Sequence, residues 1–115
     1  MPTTPGLDVT VATETPDVVV LTLTGELDLA TAKTFKSEIT ERQAGGRLLV
    51  LNLAGLEFCD STGLGALAGL HRRAVTIGGD LRLAGLQPGV EHVLKLTGVS
   101  AVIPIFSDVP AALAG

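Results

Sequence analysis

Residues 48–53 are apolar at every position except Asn52, the pattern of a central strand covered on both faces or nearly so. Helical spacing flanks this run on both sides. Ala32, Phe35 and Ile39 recur at helical intervals within residues 30–43, which end before Gly45-Gly46. Leu64, Leu67, Leu70, Ala74 and Ile77 repeat the pattern after Ser61 and stop at Gly78-Gly79, glycine pairs being ordinary helix stops. A buried strand between two amphipathic helices requires crossover connections, and such connections make parallel neighbours with right-handed turns.

The rest of the chain extends the alternation. Residues 7–12 place Leu7, Val9 and Val11 between polar neighbours, and Thr15-Pro16-Asp17 turns the chain into a second strand at 18–24, so these two pair antiparallel. Leu81 and Leu83 alternate with Asp80 and Arg82, a strand with one wetter face. A third helix opens near Pro88, runs through Val90, Val93 and Leu94 and stops at Gly98. Residues 102–106 form a last strand, which Pro104 confines to a sheet edge. Ser107 or Asp108 then caps a short helix with Pro110 in its first turn. The order ββαβαβαβα predicts an α/β fold: one domain over residues 7–115, with a mixed, mostly parallel five-stranded sheet and about four helices, after a frayed tail at 1–6. Residues 7–106 contain no repeat, linker or low-complexity insert.

Composition excludes several function classes. A 115-residue chain with 46% hydrophobic residues supports one core. Trp and Tyr are absent and Phe numbers three, so no aromatic platform exists for stacking bases, and a net charge of -4 opposes binding to duplex phosphates. No direct nucleic-acid partner is expected, and His71-Arg72-Arg73 reads as a solvated helix face. The single Cys59 allows no internal disulfide and no thiolate metal cluster, which fits a reducing, cytoplasmic location. The first residues lack the pattern of a signal or transit peptide, and no apolar run approaches the ~18 residues of a membrane span. No metal or cofactor is called for.

Parallel sheets gather ligands at the edge where the strand C-termini meet the loops. Here the loops at 25–28, 54–61 and 84–88 share that edge, bringing Asp28, Glu57, Asp60 and Ser61 to one acidic surface. Ser61 is placed as the helix N-cap, accepting from the N–H of Gly63 or Leu64; position 64 lacks the acid of a capping box, so the hydroxyl is held by one bond only. Gly63 and Gly65 in the opening turns each cost the helix about 1 kcal/mol against Ala. Together with Gly69 they have two readings, close packing onto the sheet or an open backbone surface for a docking partner.

Gly25-Glu26-Leu27-Asp28, Leu51-Asn52-Leu53, Phe58-Cys59-Asp60-Ser61-Thr62-Gly63-Leu64-Gly65, Gly78-Gly79 and Leu94-Lys95-Leu96-Thr97-Gly98 together resemble the STAS domain of bacterial anti-sigma factor antagonists. The resemblance runs over residues 7–112, and the Asp-Ser-Thr-Gly-Leu-Gly block is its specific part. It implies a protein that binds an anti-sigma factor serine kinase while unphosphorylated, is released on phosphorylation, and is restored by a PP2C-type phosphatase. The implied phosphoacceptor is Ser61, with Thr62 the neighbour normally left unmodified. The implied partner surface holds Asp28, Asp60, Ser61, Thr62, Gly63 and Leu64, on a monomer or weak dimer. Cys59 departs from the larger apolar residue common at its position and reads as a small buried hydrophobe.

Three rival functions share parts of this pattern. Gly63, Gly65 and Gly69 suggest a dinucleotide fingerprint, but the last interval is one residue too long and the block lies about seven residues beyond the expected strand; weak nucleotide binding stays open. A hydrolase lacks its nucleophile elbow, and neither His71 nor His92 lies near Ser61 in sequence. A STAS module regulating another signalling complex or a transporter is the third; the chain ends and the absence of a membrane span favour a stand-alone antagonist.

Overall fold

The computed structural model describes residues 5–115; residues 1–4 of the expected tail lie outside them. Strands β1 (Leu7–Glu14), β2 (Val18–Leu27), β3 (Leu48–Cys59), β4 (Asp80–Ala84) and β5 (Ile105–Phe106) form one sheet in sequential order. Helices α1 (Ala32–Arg42), α2 (Ser61–Thr76), α3 (Pro88–Leu96) and α4 (Val109–Ala114) alternate with the strands. The β1–β2 pair is antiparallel and every other pair is parallel. This is the mixed α/β fold the alternation requires.

The apolar run at the start of β3 is buried on both sides. Leu49, Leu51 and Leu53 pack with Leu21, Leu23, Phe35, Ile39, Leu67, Leu70 and Leu83 in the core that also takes up Val90 and Leu94 of α3. Val50 points the other way, into a smaller cluster with Val20, Ala84 and Ala112 beneath α4. Asp108 caps α4 through Oδ1, which accepts from the Ala111 N–H at 2.9 Å.

Several element boundaries differ from the sequence pattern: β1 and β2 run on to Glu14 and Leu27, taking in most of the expected loop at 25–28, and three further differences have local reasons. β3 continues past Leu53 to Cys59, pairing with β2 through register shifts between Thr22 and Thr24 and between Gly25 and Glu26. The shifts place Leu53, Leu56 and Cys59 on the buried side at intervals of three, which breaks the period-two signature of a strand. The expected loop at 54–61 is therefore mostly strand. The glycine block follows β3 directly, so the objection to a dinucleotide fingerprint based on distance from the strand falls; the over-long last interval stands. At the far edge, residues 99–101 form a 3-10 turn and β5 is only Ile105–Phe106. Pro104 contributes its carbonyl, which accepts from the Leu83 N–H at 3.0 Å, and as an edge residue it forfeits no donor. α1 begins at Ala32, because the carboxylate of Asp28 holds the N–H groups of Ala30 and Thr31 in the preceding turn.

Gly25 shows how tightly the antiparallel edge is built. Its φ is +115°, and a Cβ there would collide with the carbonyl oxygen of Gly6, which accepts from the Glu26 N–H at 2.7 Å.

Candidate functional site

β2 and β3 end side by side, with Leu27 opposite Cys59 and the Asp60 N–H donating to the Leu27 carbonyl at 3.2 Å. The two following turns are thus adjacent, and Asp60 joins them. Its backbone is extended, its Oδ1 accepts from the Gly63 N–H at 2.9 Å, and its Oδ2 accepts from the Leu29 N–H at 3.1 Å. Asp60 is the cap of α2, which corrects the placement of Ser61 in that role. Both side chains are short acceptors suited to the position, but only a carboxylate offers a second oxygen to reach Leu29. Ser61 instead takes the first helical position. It is exposed, and its hydroxyl makes no hydrogen bond among the described residues.

The Asp28 turn is equally tied down. Asp28 Oδ1 accepts from the N–H groups of Ala30 at 3.0 Å and Thr31 at 3.2 Å. The buried Thr31 hydroxyl donates to the Glu26 carbonyl at 2.9 Å and accepts from the Asp28 N–H at 3.0 Å. The carboxylates of Asp28 and Asp60 therefore shape the surface more than they present themselves to a partner. What the turn presents is Leu29, whose side chain is 76% exposed. Sequence reasoning missed it, since an apolar residue in an irregular turn has no periodicity to mark its direction.

The expected partner residues separate into layers. Ser61 and Thr62 are exposed, Asp28 and Asp60 are half-buried, and Gly63 and Leu64 face the core. A Cβ on Gly63 would lie 2.5 Å from the Leu27 carbonyl oxygen and 3.0 Å from Cys59 Sγ, so this glycine is there for close packing. Gly65 has nothing within 4 Å of its Cβ position and is open surface. Close packing onto the sheet thus accounts for Gly63 and for neither Gly65 nor Gly69, whose nearest neighbour is Lys36 Nζ at 3.6 Å. Gly65 lines an open groove of about 460 Å³ between α1 and α2, with Leu29, Lys33, Lys36 and Thr62. The two lysines set basic side chains beside the acidic loops. Glu57 and the half-exposed Phe58 flank the site from β3.

The family model for the STAS domain matches residues 10–112. The chain belongs to the STAS domain family. Among its relatives, the anti-sigma F factor antagonist of Paenibacillus polymyxa is 30% identical over 93 residues, which is 79% of this chain and 80% of the relative. The anti-sigma-B factor antagonist of Bacillus subtilis is 28% identical over 83 residues, 72% of this chain and 76% of the relative. A crystal structure of an anti-sigma factor antagonist from Mycobacterium paratuberculosis superposes with a TM-score of 0.82 at 26% identity, covering 94% of this chain and 92% of that one.

Within this STAS domain Cys59 is buried, and burial, followed by the neighbouring Asp60 charge, pushes its thiol up to about 12. The thiolate is the reactive form. Alkylation of the native protein by iodoacetamide at pH 8 is expected to be at least about tenfold slower than in urea; equal rates would show the thiol is accessible. Neither histidine joins Ser61: His71 Nε2 lies 3.8 Å from Asp80 Oδ1 at the start of β4, and His92 is exposed on α3. Among the described residues no cluster of three or more His, Cys, Asp or Glu side chains is placed to hold a metal, and no helix is long and apolar enough to cross a membrane.

Asp60→Ala removes the cap and the bond to Leu29 together. It is expected to cost about 1–2 kcal/mol and to increase amide exchange at Leu29. Chemical unfolding with exchange measured at that amide checks this; unchanged exchange would mean that Asp60 does not order the turn.

Proposed function

We propose that this STAS domain is an anti-sigma factor antagonist whose binding state is set by phosphate on Ser61. Unphosphorylated, it binds an anti-sigma factor serine kinase and so frees a sigma factor; phosphorylation at Ser61 releases it, and a PP2C-type phosphatase resets it. It acts by binding in the cytoplasm, where those partners are.

The observation that carries this reading is the division of labour at the start of α2. Asp60 performs the capping, so the Ser61 hydroxyl is exposed and unengaged. A kinase could modify it without removing a hydrogen bond that the fold uses. The names borne by the relatives point the same way. Phosphate adds about -1.5 to -2 charge at pH 7, beside the carboxylates of Asp28 and Asp60, while the positive end of the α2 dipole offsets part of the local repulsion. The fold therefore accommodates the group and the complex does not.

The test is phosphorylation by the cognate kinase with ATP, followed by mass-spectrometric mapping. One phosphate on Ser61, absent in Ser61→Ala and retained in Thr62→Val, is the expected result. Phosphate on Thr62, or none, would overturn the assignment.

A further inference from the structure

Four of the eight basic side chains have carboxylate partners: Arg42 and Arg47 with Glu14, Arg82 with Asp80, and Lys95 with Glu91. The other four, Lys33, Lys36, Arg72 and Arg73, make no ion pair among the described residues, although acids outnumber bases by 12 to 8 in the chain. Lys33, Lys36 and Arg72 lie along one seam. Lys33 and Lys36 line the α1–α2 groove. Lys36 Nζ and Arg72 Nη2 both come within 4 Å of the point a Cβ on Gly69 would occupy. Two like charges approach one another there, neither with a carboxylate within 4 Å, an arrangement that favours an incoming anion. At the other end of the seam stands Leu29, the most exposed large apolar side chain of the described residues at 76%.

We propose that this seam docks an acidic segment of the partner protein, its carboxylates set against Lys33, Lys36 and Arg72 and an apolar side chain set against Leu29. The proposal rests on the antagonist reading and gives its contact surface a chemistry. Ser61 stands one helical turn before Gly65 on the same face of α2, next in sequence to Thr62, which lines the groove. A phosphate there repels an acidic segment at the point of entry and competes for the nearest lysine, so the modification and the docking chemistry act in one direction.

The test measures association of the purified Ser61-directed kinase with wild type, Lys36→Glu/Arg72→Glu, Leu29→Ala and, as a control, Lys95→Glu on α3. Charge attraction of this kind changes association rates by about 10–10³-fold. The double reversal is therefore expected to slow association at least about tenfold and to flatten its dependence on salt, Leu29→Ala to raise the dissociation rate, and Lys95→Glu to change neither. All substituted residues are exposed, and circular dichroism of each variant checks the fold. Wild-type binding that survives the double reversal unchanged would overturn the seam alone; absence of wild-type binding would overturn the antagonist reading with it. Self-association of the chain, or binding to anionic phosphatidylserine vesicles, lost in the double reversal while kinase binding persists, would assign the seam to another occupant and also overturn the proposal.

Discussion

Gly63→Ala is expected to destabilise the protein by about 3 kcal/mol or more, whereas Gly65→Ala, two residues along the same helix, is expected to stabilise it by about 0.5–1 kcal/mol. At Gly63 the added methyl meets the Leu27 carbonyl oxygen at 2.5 Å and Leu27 Cγ at 2.9 Å. Backbone at the end of a central strand cannot retreat, so α2 would have to lift from the sheet, opening the contact with Cys59 and the bond that the Gly63 N–H donates to Asp60. Overpacking of this sort commonly costs 1–3 kcal/mol and exceeds that where the neighbour is rigid. At Gly65 the methyl meets nothing within 4 Å, and only the gain in helix propensity remains. Urea unfolding of both variants checks the pair. Similar shifts in the two midpoints would contradict the packing described for the start of α2.

The second large effect is on binding. Ser61→Ala is expected to hold the anti-sigma factor kinase as tightly as wild type and to do so constitutively, while Ser61→Glu is expected to bind about 100-fold more weakly, or about 2.7 kcal/mol. The alanine loses no hydrogen bond within the protein, because the Ser61 hydroxyl makes none among the described residues. The glutamate sets a charge at the start of α2, where Asp60 caps the helix and joins it to the turn after Asp28. Isothermal titration of each variant with the kinase reads the difference, and equal affinities would refute the electrostatic switch.

The helices were legible because their faces repeat. Phe35 and Ile39 of α1, and Leu64, Leu67, Leu70 and Ala74 of α2, are buried as their spacing requires. Ile77, which continues that spacing, is 38% exposed because α2 has already ended at Thr76. The extension of β3 was not legible, since two register shifts turn its buried positions to intervals of three. At the site, local rules could not separate two adjacent capping residues. The bond from the Leu29 N–H to Asp60 Oδ2 decides between them, and it joins residues far apart in the chain. Gly63 and Gly65 are the same letter in sequence, and only the position of Leu27 tells the packed one from the open one. Lys36 and Arg72 likewise meet only because α1 and α2 lie side by side.

Phosphate on Ser61 is proposed to act on the complex and to leave the fold intact. Phosphoserine installed at position 61 during synthesis permits one paired measurement, the thermal midpoint of the protein and its affinity for the kinase, each against the unmodified chain. The expected result is a midpoint within about 2 °C, equivalent to less than about 0.5 kcal/mol for a domain of this size, together with at least about a 100-fold loss of affinity. Unchanged affinity, or a loss of affinity matched by a collapse of the midpoint, would contradict it.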